Sequence, residues 1–350
     1  SEKMDTKKML ACLLGATLMV QAGSMTYAKE VETKILSLDT AIKQAQAKSL
    51  QLKITEKKSN LDKENADMAY LQGGYYAYDA KNVQATYTKK QEEVIKDQIT
   101  LSVTSLYEDI LLSEKQLEMM NSNLALLQKQ NLKSQIEKDR GLKSDLAIQQ
   151  QDLTYMQTLQ SKTDLEQKIN LKYTQLGDMV GVTMSRYTLE EPEALFEPYK
   201  DVANLNAFAS SKAQKHIDLW KATEDLRVAL ETPIMTSDYI QVVTMRANRE
   251  IAADSKKMTE ENLEKAIREI YVNTKQLEQK YNALTSELAL KEKELGVNKV
   301  YLEKGMISQL QYDQSVLEYE KVGLELEQVV NNHNLNKFQL DHPHLIRAGV

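Results

Sequence analysis

The sequence predicts an all-α protein built from two tandem repeats, each a long antiparallel coiled-coil helical hairpin. Three observations predict it. Only 4 Pro and 11 Gly interrupt 350 residues, and aromatics are 6%, a composition that suits long helices rather than sheets. Apolar residues recur at alternating spacings of four and three in two places. The chain also matches itself at a shift of 164 residues, which sets EKDRGLKSDL (137–146) on YLEKGMISQL (301–310).

The elements follow in order. Lys7 and Lys8 precede an apolar run from Met9 to Val20. This reads as an export signal, 1–28, cleaved after Ala28 or after Ala22. A run of about 12 apolar residues falls short of the roughly 20 that span a bilayer. The single cysteine, Cys12, sits inside that run as a hydrophobe. The mature chain would then have neither a disulfide framework nor a thiolate metal site.

The first repeat, 29–203, is expected to hold helices at 38–72, 92–140 and 144–176. An irregular link, 177–203, follows, marked by Gly177, Gly181, Pro192 and Pro198. The second repeat, 204–341, is expected to hold helices at 205–231, 252–304 and 308–340, ahead of a tail at 342–350. The longest helices approach fifty residues, roughly 75 Å.

The shift of 164 aligns Tyr107 with Tyr271, Leu153 with Leu317, and Gln175-Leu176 with Gln339-Leu340. Roughly fifteen identities in about seventy positions mark two copies of one unit. In the first copy the seam runs Ile99, Val103, Leu106, Ile110, Ser113, Leu117, Met120, Leu124, Leu127. In the second it runs Ile270, Thr274, Leu277, Tyr281, Leu284, Leu288, Lys291, Leu295, Asn298, Leu302. Both are coiled-coil patterns. The last helix carries two seams, Leu310-Leu317-Leu324 and Tyr312-Val316-Tyr319-Leu326-Val330, so it needs a neighbour on each side.

The matched decapeptides are tight helix–helix turns. Gly141 and Gly305 close one helix in the left-handed conformation. Leu142 and Met306 follow, placed to fold back on Ile136 and Val300 as in a Schellman cap. Ser144 and Ser308 then start the returning helices as N-caps, Ser308 with Gln311 in the capping-box position. Each tip projects charge: Asp139, Arg140, Lys143 and Asp145 in one, Glu303 and Lys304 in the other. An ordinary αα-hairpin would explain the turns without any function.

Reactive chemistry is not visible. A formal charge of -6 is interleaved along the chain, which argues against nucleic-acid binding. The histidines His216, His333, His342 and His344 form no metal-binding pair on a helix, and no glycine loop cradles phosphate. His342-Pro343-His344 would hold a metal weakly, and a frayed tail is the plainer expectation. Trp220, the tyrosines and the methionines read as packing. No cofactor is expected.

The ordered set resembles the TolC family of outer-membrane efflux proteins. It comprises the opening LSLDTAIKQAQAKSLQL (36–52), both G-x-x-S-x-L turns and YTQLGDMVGV (173–182). The resemblance implies a homotrimer closed into a hollow α-helical barrel, passing small molecules or polypeptides out of the cell envelope. It further implies docking on a periplasmic membrane-fusion adaptor fed by an inner-membrane pump of ABC, RND or MFS type. The contact and the gate fall on Arg140, Gly141, Leu142, Ser144, Lys304, Gly305, Met306 and Ser308.

The family's membrane-spanning strand pairs would lie near 71–91 and 231–250. The first window offers three tyrosines (Tyr75, Tyr76, Tyr78) and then a polar run; the second holds one strand-like run, Tyr239 to Met245. Neither holds a full pair of roughly 9–11-residue strands. Little or no β-barrel is expected, which sets outer-membrane insertion in doubt. A pore-free, exported coiled-coil scaffold is the alternative reading, and an envelope enzyme has no residues to support it.

Overall fold

Polar capping side chains fix where the helices begin. The computed structural model describes residues 33–193 and 195–347. Strand β1 (Lys34–Leu36) leads into α1 (Leu38–Lys48), α2 (Leu50–Asp139) and α3 (Asp145–Val180), then a 3-10 turn (Met184–Arg186) and β2 (Tyr187–Leu189). The second half holds α4 (Leu205–Ala213), α5 (Ile217–Glu231), α6 (Tyr239–Glu303), α7 (Gln309–Asp341) and a 3-10 turn at Pro343–Leu345. Ser37, Ser49, Ser144, Asn204, His216, Asp238 and Ser308 each accept a backbone N–H from the first helical turn. Those donors have no partner within the helix itself. The expected export signal, with Cys12, lies outside the described residues.

Helix α2 is two antiparallel arms. At Gly74 the backbone turns to φ 76°, ψ -161°, a region open to glycine alone at little cost. Thr88 Oγ1 donates to Asp62 Oδ2 at 2.7 Å, and the Tyr70 and Tyr78 rings meet edge-on at 5.9 Å. In a straight helix residues 62 and 88 would stand about 39 Å apart. The chain therefore reverses at Gly73-Gly74, and the 71–91 window is a helical hairpin apex rather than the end of one helix and a gap before the next.

The second window differs from expectation in the same way. The run Tyr239–Met245, strand-like in composition, forms the first turns of α6, because Asp238 Oδ1 accepts from the N–H groups of Ile240 and Gln241. Arg249 then donates to the carbonyls of Ala229 and Thr232, both at 2.8 Å, which ties α5 to α6 across residues 232–238. Three further boundaries move. Ser49 breaks the expected 38–72 helix, His216 divides the expected 205–231 helix, and α3 runs through Gly177 to end at Gly181, φ 77°.

Each half has its own apolar core. Leu36, Ala41, Ala45, Val103, Tyr107, Ile110, Leu176 and Val180 form the first. Ala209, Ala213, Leu219, Leu263, Ile267, Tyr271, Leu340 and Ile346 form the second. Each Leu or Ile fully removed from water contributes about 1.5–3 kcal/mol. A parallel pairing of β1 with β2, Leu36 opposite Leu189, closes the first core. Buried Tyr107 lies beneath it, Oη 2.7 Å from the Leu36 carbonyl and 2.5 Å from that of Glu190. Sequence patterning did not suggest these three-residue strands.

The link crosses to the second half as a packed strap. Phe196 stacks on Tyr281 at 3.6 Å, and Tyr199 N–H donates to Glu278 Oε1 at 2.6 Å. The tail is packed as well, against the expectation of fraying. Ile346 is buried and its carbonyl lies 2.9 Å from His216 Nε2, while His344 Nε2 lies 2.7 Å from Asp97 on α2. His342 is engaged too, its Nδ1 2.9 Å from the Phe338 carbonyl.

Candidate functional site

Both turns have the backbone that their residues predict. Gly141 stands at φ 73° and Gly305 at φ 67°. The N–H of Gly141 bonds the Lys138 carbonyl and that of Leu142 the Glu137 carbonyl, each at 2.8 Å; Gly305 to Leu302 and Met306 to Tyr301 repeat the pattern. These are the two bonds of a Schellman motif. Ser144 Oγ accepts from Ala147 N–H, and Ser308 with Gln311 forms a full capping box. The apolar half of the motif is open: Leu142 is 75% and Met306 67% exposed. An apolar side chain at each tip therefore faces water.

A Cβ at Gly141 would meet nothing within 4 Å, so substitution there meets only the left-handed backbone penalty. Gly141→Ala is expected to lower stability by about 1 kcal/mol, read as a fall in the urea midpoint. Gly141→Asn, which tolerates this conformation, is expected to cost less.

Charge at the tips is narrower than the sequence list. Lys138 pairs with Asp145 at 2.6 Å; Lys143 reaches Ser134 Oγ at 2.6 Å and Glu137 at 3.5 Å. Asp139, Arg140, Glu303 and Lys304 have no ion-pair partner among the described residues, and all four are exposed. They are the charges available to a partner.

The two turns lie at the same end. Lys115 pairs with Glu327 at 2.8 Å and Lys129 with Asp313 at 2.8 Å, which sets α2 and α7 antiparallel in one continuous register. Helix α2 runs 10 residues beyond Lys129, whereas α7 begins 4 residues before Asp313. The first turn thus projects about 9 Å further than the second.

The α2–α7 contact differs in kind from the others. Among the described residues no buried apolar cluster spans these two helices. Instead α7 presents Asp313, Glu320 and Glu327 at heptad spacing. Lys115, anchored also by Glu191 of the link, is the bridging cation. Burial disfavours its charge, yet the two carboxylates more than offset that and hold its pKa above the usual lysine value. Desolvation, with Glu118 nearby, pushes Glu320 up. The heptad of acids was visible in the sequence, but its partner helix was not.

Helix packing runs in the order α3, α2, α7, α6, so α7 has a neighbour on each side, the α6 side apolar and the α2 side polar. Its Tyr319, Val322, Leu326 and Val329 pack on Leu284 and Leu288 of α6. The edge helices keep exposed apolar stripes on their free sides. Leu146, Leu153, Met156 and Leu171 form one on α3; Met258, Val272, Leu290 and Val297 form the other on α6. Steps of seven recur in both, from Leu146 to Leu153 and from Leu290 to Val297.

Among the described residues no group of three or more His, Cys, Asp or Glu could hold a metal ion, and no helix is long and apolar enough to cross a membrane.

Solved structures share this architecture. The chain matches a membrane protein from Pseudomonas aeruginosa with a TM-score of 0.64 at 10% identity, over 93% of this chain and 97% of that one. It matches the CmeC outer membrane channel of Campylobacter jejuni at 0.61 and 9% identity, over 92% and 90%. The outer membrane protein VceC of Vibrio cholerae matches at 0.57 and 13%, over 89% and 95%. No protein-family model and no curated protein matches the sequence. At these identities the likeness shows a common fold, that of outer-membrane channels, mostly helical and here without a closed β-barrel among the described residues.

Proposed function

We propose that this chain is one subunit of an exit duct in a multi-component efflux or secretion system, three copies closing into a hollow α-helical barrel. The observation that supports it most is the pair of edge helices, α3 and α6, each of which keeps exposed apolar residues on its outer side. A pore-free rod needs one seam per helix, whereas α3 and α6 each carry a second stripe of exposed apolar residues along the edge of a four-helix wall. Joining α3 of one copy to α6 of the next covers both stripes and leaves no edge.

On this reading the chain is exported, with its signal removed after Ala28 or after Ala22, and 29–203 and 204–341 are tandem repeats of one hairpin unit. The staggered turns face a membrane-fusion adaptor supplied by an inner-membrane pump. Arg140, Gly141, Leu142 and Ser144 with Lys304, Gly305, Met306 and Ser308 make the docking tips and the gate. Exposed Leu142 and Met306 supply apolar contact, and the unpaired charges supply orientation. The duct works by enclosure, with no reacting group.

Light-scattering mass and negative-stain images of residues 29–350 test the assembly. A trimer seen as a hollow cylinder is expected; a monomeric solid rod would favour the scaffold. In cells, the double charge reversal Arg140→Glu with Lys304→Glu is expected to abolish most export while leaving the trimer intact. Undiminished export would remove these tips as the docking site.

A further inference from the structure

We propose that the end of the molecule opposite the glycine turns is a membrane-contact surface, which rests in the polar–apolar interface of a lipid bilayer without crossing it. Two hairpin apices meet at this end. Arg227 of α5 holds Asp79 of α2 with two bonds of 2.9 Å, and Tyr87 Oη donates to Asp218 at 2.8 Å. These contacts run α5 antiparallel to the second arm of α2. They place the Gly73-Gly74 reversal beside the 232–238 reversal, separated from the Gly141 turn by roughly 95 Å of helix.

The two apices share a chemistry found at neither turn. Residues 68–78 (MAYLQGGYYAY) contain no Asp, Glu, Lys, Arg or His, and neither do 232–237 (TPIMTS) or 239–245 (YIQVVTM). At 27% charged residues, eleven positions would carry about three charges on average. Asp238, between the two uncharged runs, is occupied as the N-cap of α6. The uncharged apices are also bare: Leu71 is 77%, Met235 84% and Tyr239 76% exposed, and Tyr70, Tyr75 and Tyr76 are exposed with them. The hydroxyls of these four tyrosines make no hydrogen bond among the described residues.

An apolar ring with an unsatisfied hydroxyl suits the headgroup boundary, where one end is dry and the other wet. A protein partner would need charge to set its register. These uncharged apices offer none. The helices behind them are too polar to span a bilayer, so contact stops at the interface. The rod thus has a charged end and an aromatic end. This inference stands independently of the duct reading.

The test reads depth, because the apolar run at Met9–Val20 can hold the full chain on vesicles in any orientation. In a Trp220→Phe background, Tyr75→Trp is the probe and Leu142→Trp the control, each with phosphatidylethanolamine–phosphatidylglycerol vesicles carrying brominated acyl chains. Quenching of most of the Tyr75→Trp emission, and little of the Leu142→Trp emission, is expected. Adding Leu71→Glu and Tyr76→Glu to the probe variant should restore that emission. Equal quenching of both probes, or none of either, overturns the proposal. So does a Tyr75→Trp signal already shielded from a water-soluble quencher before lipid is added, which would show that another copy covers the apices.

Discussion

Replacing Arg227 by Met is expected to lower stability by about 2–4 kcal/mol. Asp79 is buried and its two oxygens take both guanidinium bonds, at 2.9 Å each. Without Arg227 that carboxylate stays buried with no cation, and Glu224 and Glu231, which also bind the guanidinium at 2.8 Å, add repulsion. Arg227 is itself partly open to water, which argues for the lower part of the range. Urea unfolding of Arg227→Met, Asp79→Asn and the double variant checks it. The double variant should recover much of the loss. A single-variant loss near zero would mean that water enters and solvates Asp79, and that this contact does not hold the halves together at the aromatic end.

Glu108→Gln is expected to stabilise the protein at pH 8 by about 1–3 kcal/mol and to change little near pH 4. Glu108 is 8% exposed on α2, and its Oε2 has no hydrogen-bond partner among the described residues. Desolvation, reinforced by the negative charge of Glu327, pushes its carboxyl up to about 7. The sign follows from proton counting. Between about pH 4.5 and 7 the folded chain holds a proton that the unfolded chain has released, so stability falls as pH rises through that window. Below it both states are protonated and the penalty is gone. Gln keeps the neutral shape at every pH. Urea midpoints at pH 4 and pH 8 measure the difference; an equal gain at both, or a loss at pH 8, would mean that Glu108 is solvated or paired as a carboxylate. The same seam carries Glu320 and the Lys115–Glu327 pair, so alkaline pH is expected to weaken the contact between the halves before either core.

The candidate site was the most legible part of the molecule. Gly141 and Gly305, each with an apolar residue next and a serine three positions on, specify their own backbone, and it forms as read. Their charge was less legible. Lys143 and Asp145 turn inward to Ser134, Glu137 and Lys138, a choice made by how the two helices meet at the turn. The seam Ile99–Leu127 and its counterpart Ile270–Leu302 are buried or half-buried throughout, because a heptad pattern depends only on neighbours a turn away.

By itself the sequence determined most of the helical stretches, their seams, the two glycine turns and the absence of a full strand pair at 71–91 and 231–250. Those features rest on contacts within a few residues, where propensity, capping and period decide. Tertiary structure alone decided the rest. Gly73-Gly74 reads equally as a loop or a kink until Asp62 meets Thr88 across it. Tyr239–Met245 reads as a strand until Asp238 caps it and Arg249 ties it to α5. The tail is ordered by Asp97 and His216, each more than a hundred residues away. The acids at 313, 320 and 327 look like a solvated face until α2 lies against them. Apart from the Asp238 cap, the deciding partner in each case lies well outside the local window, and local preference carries no information about which such group will arrive.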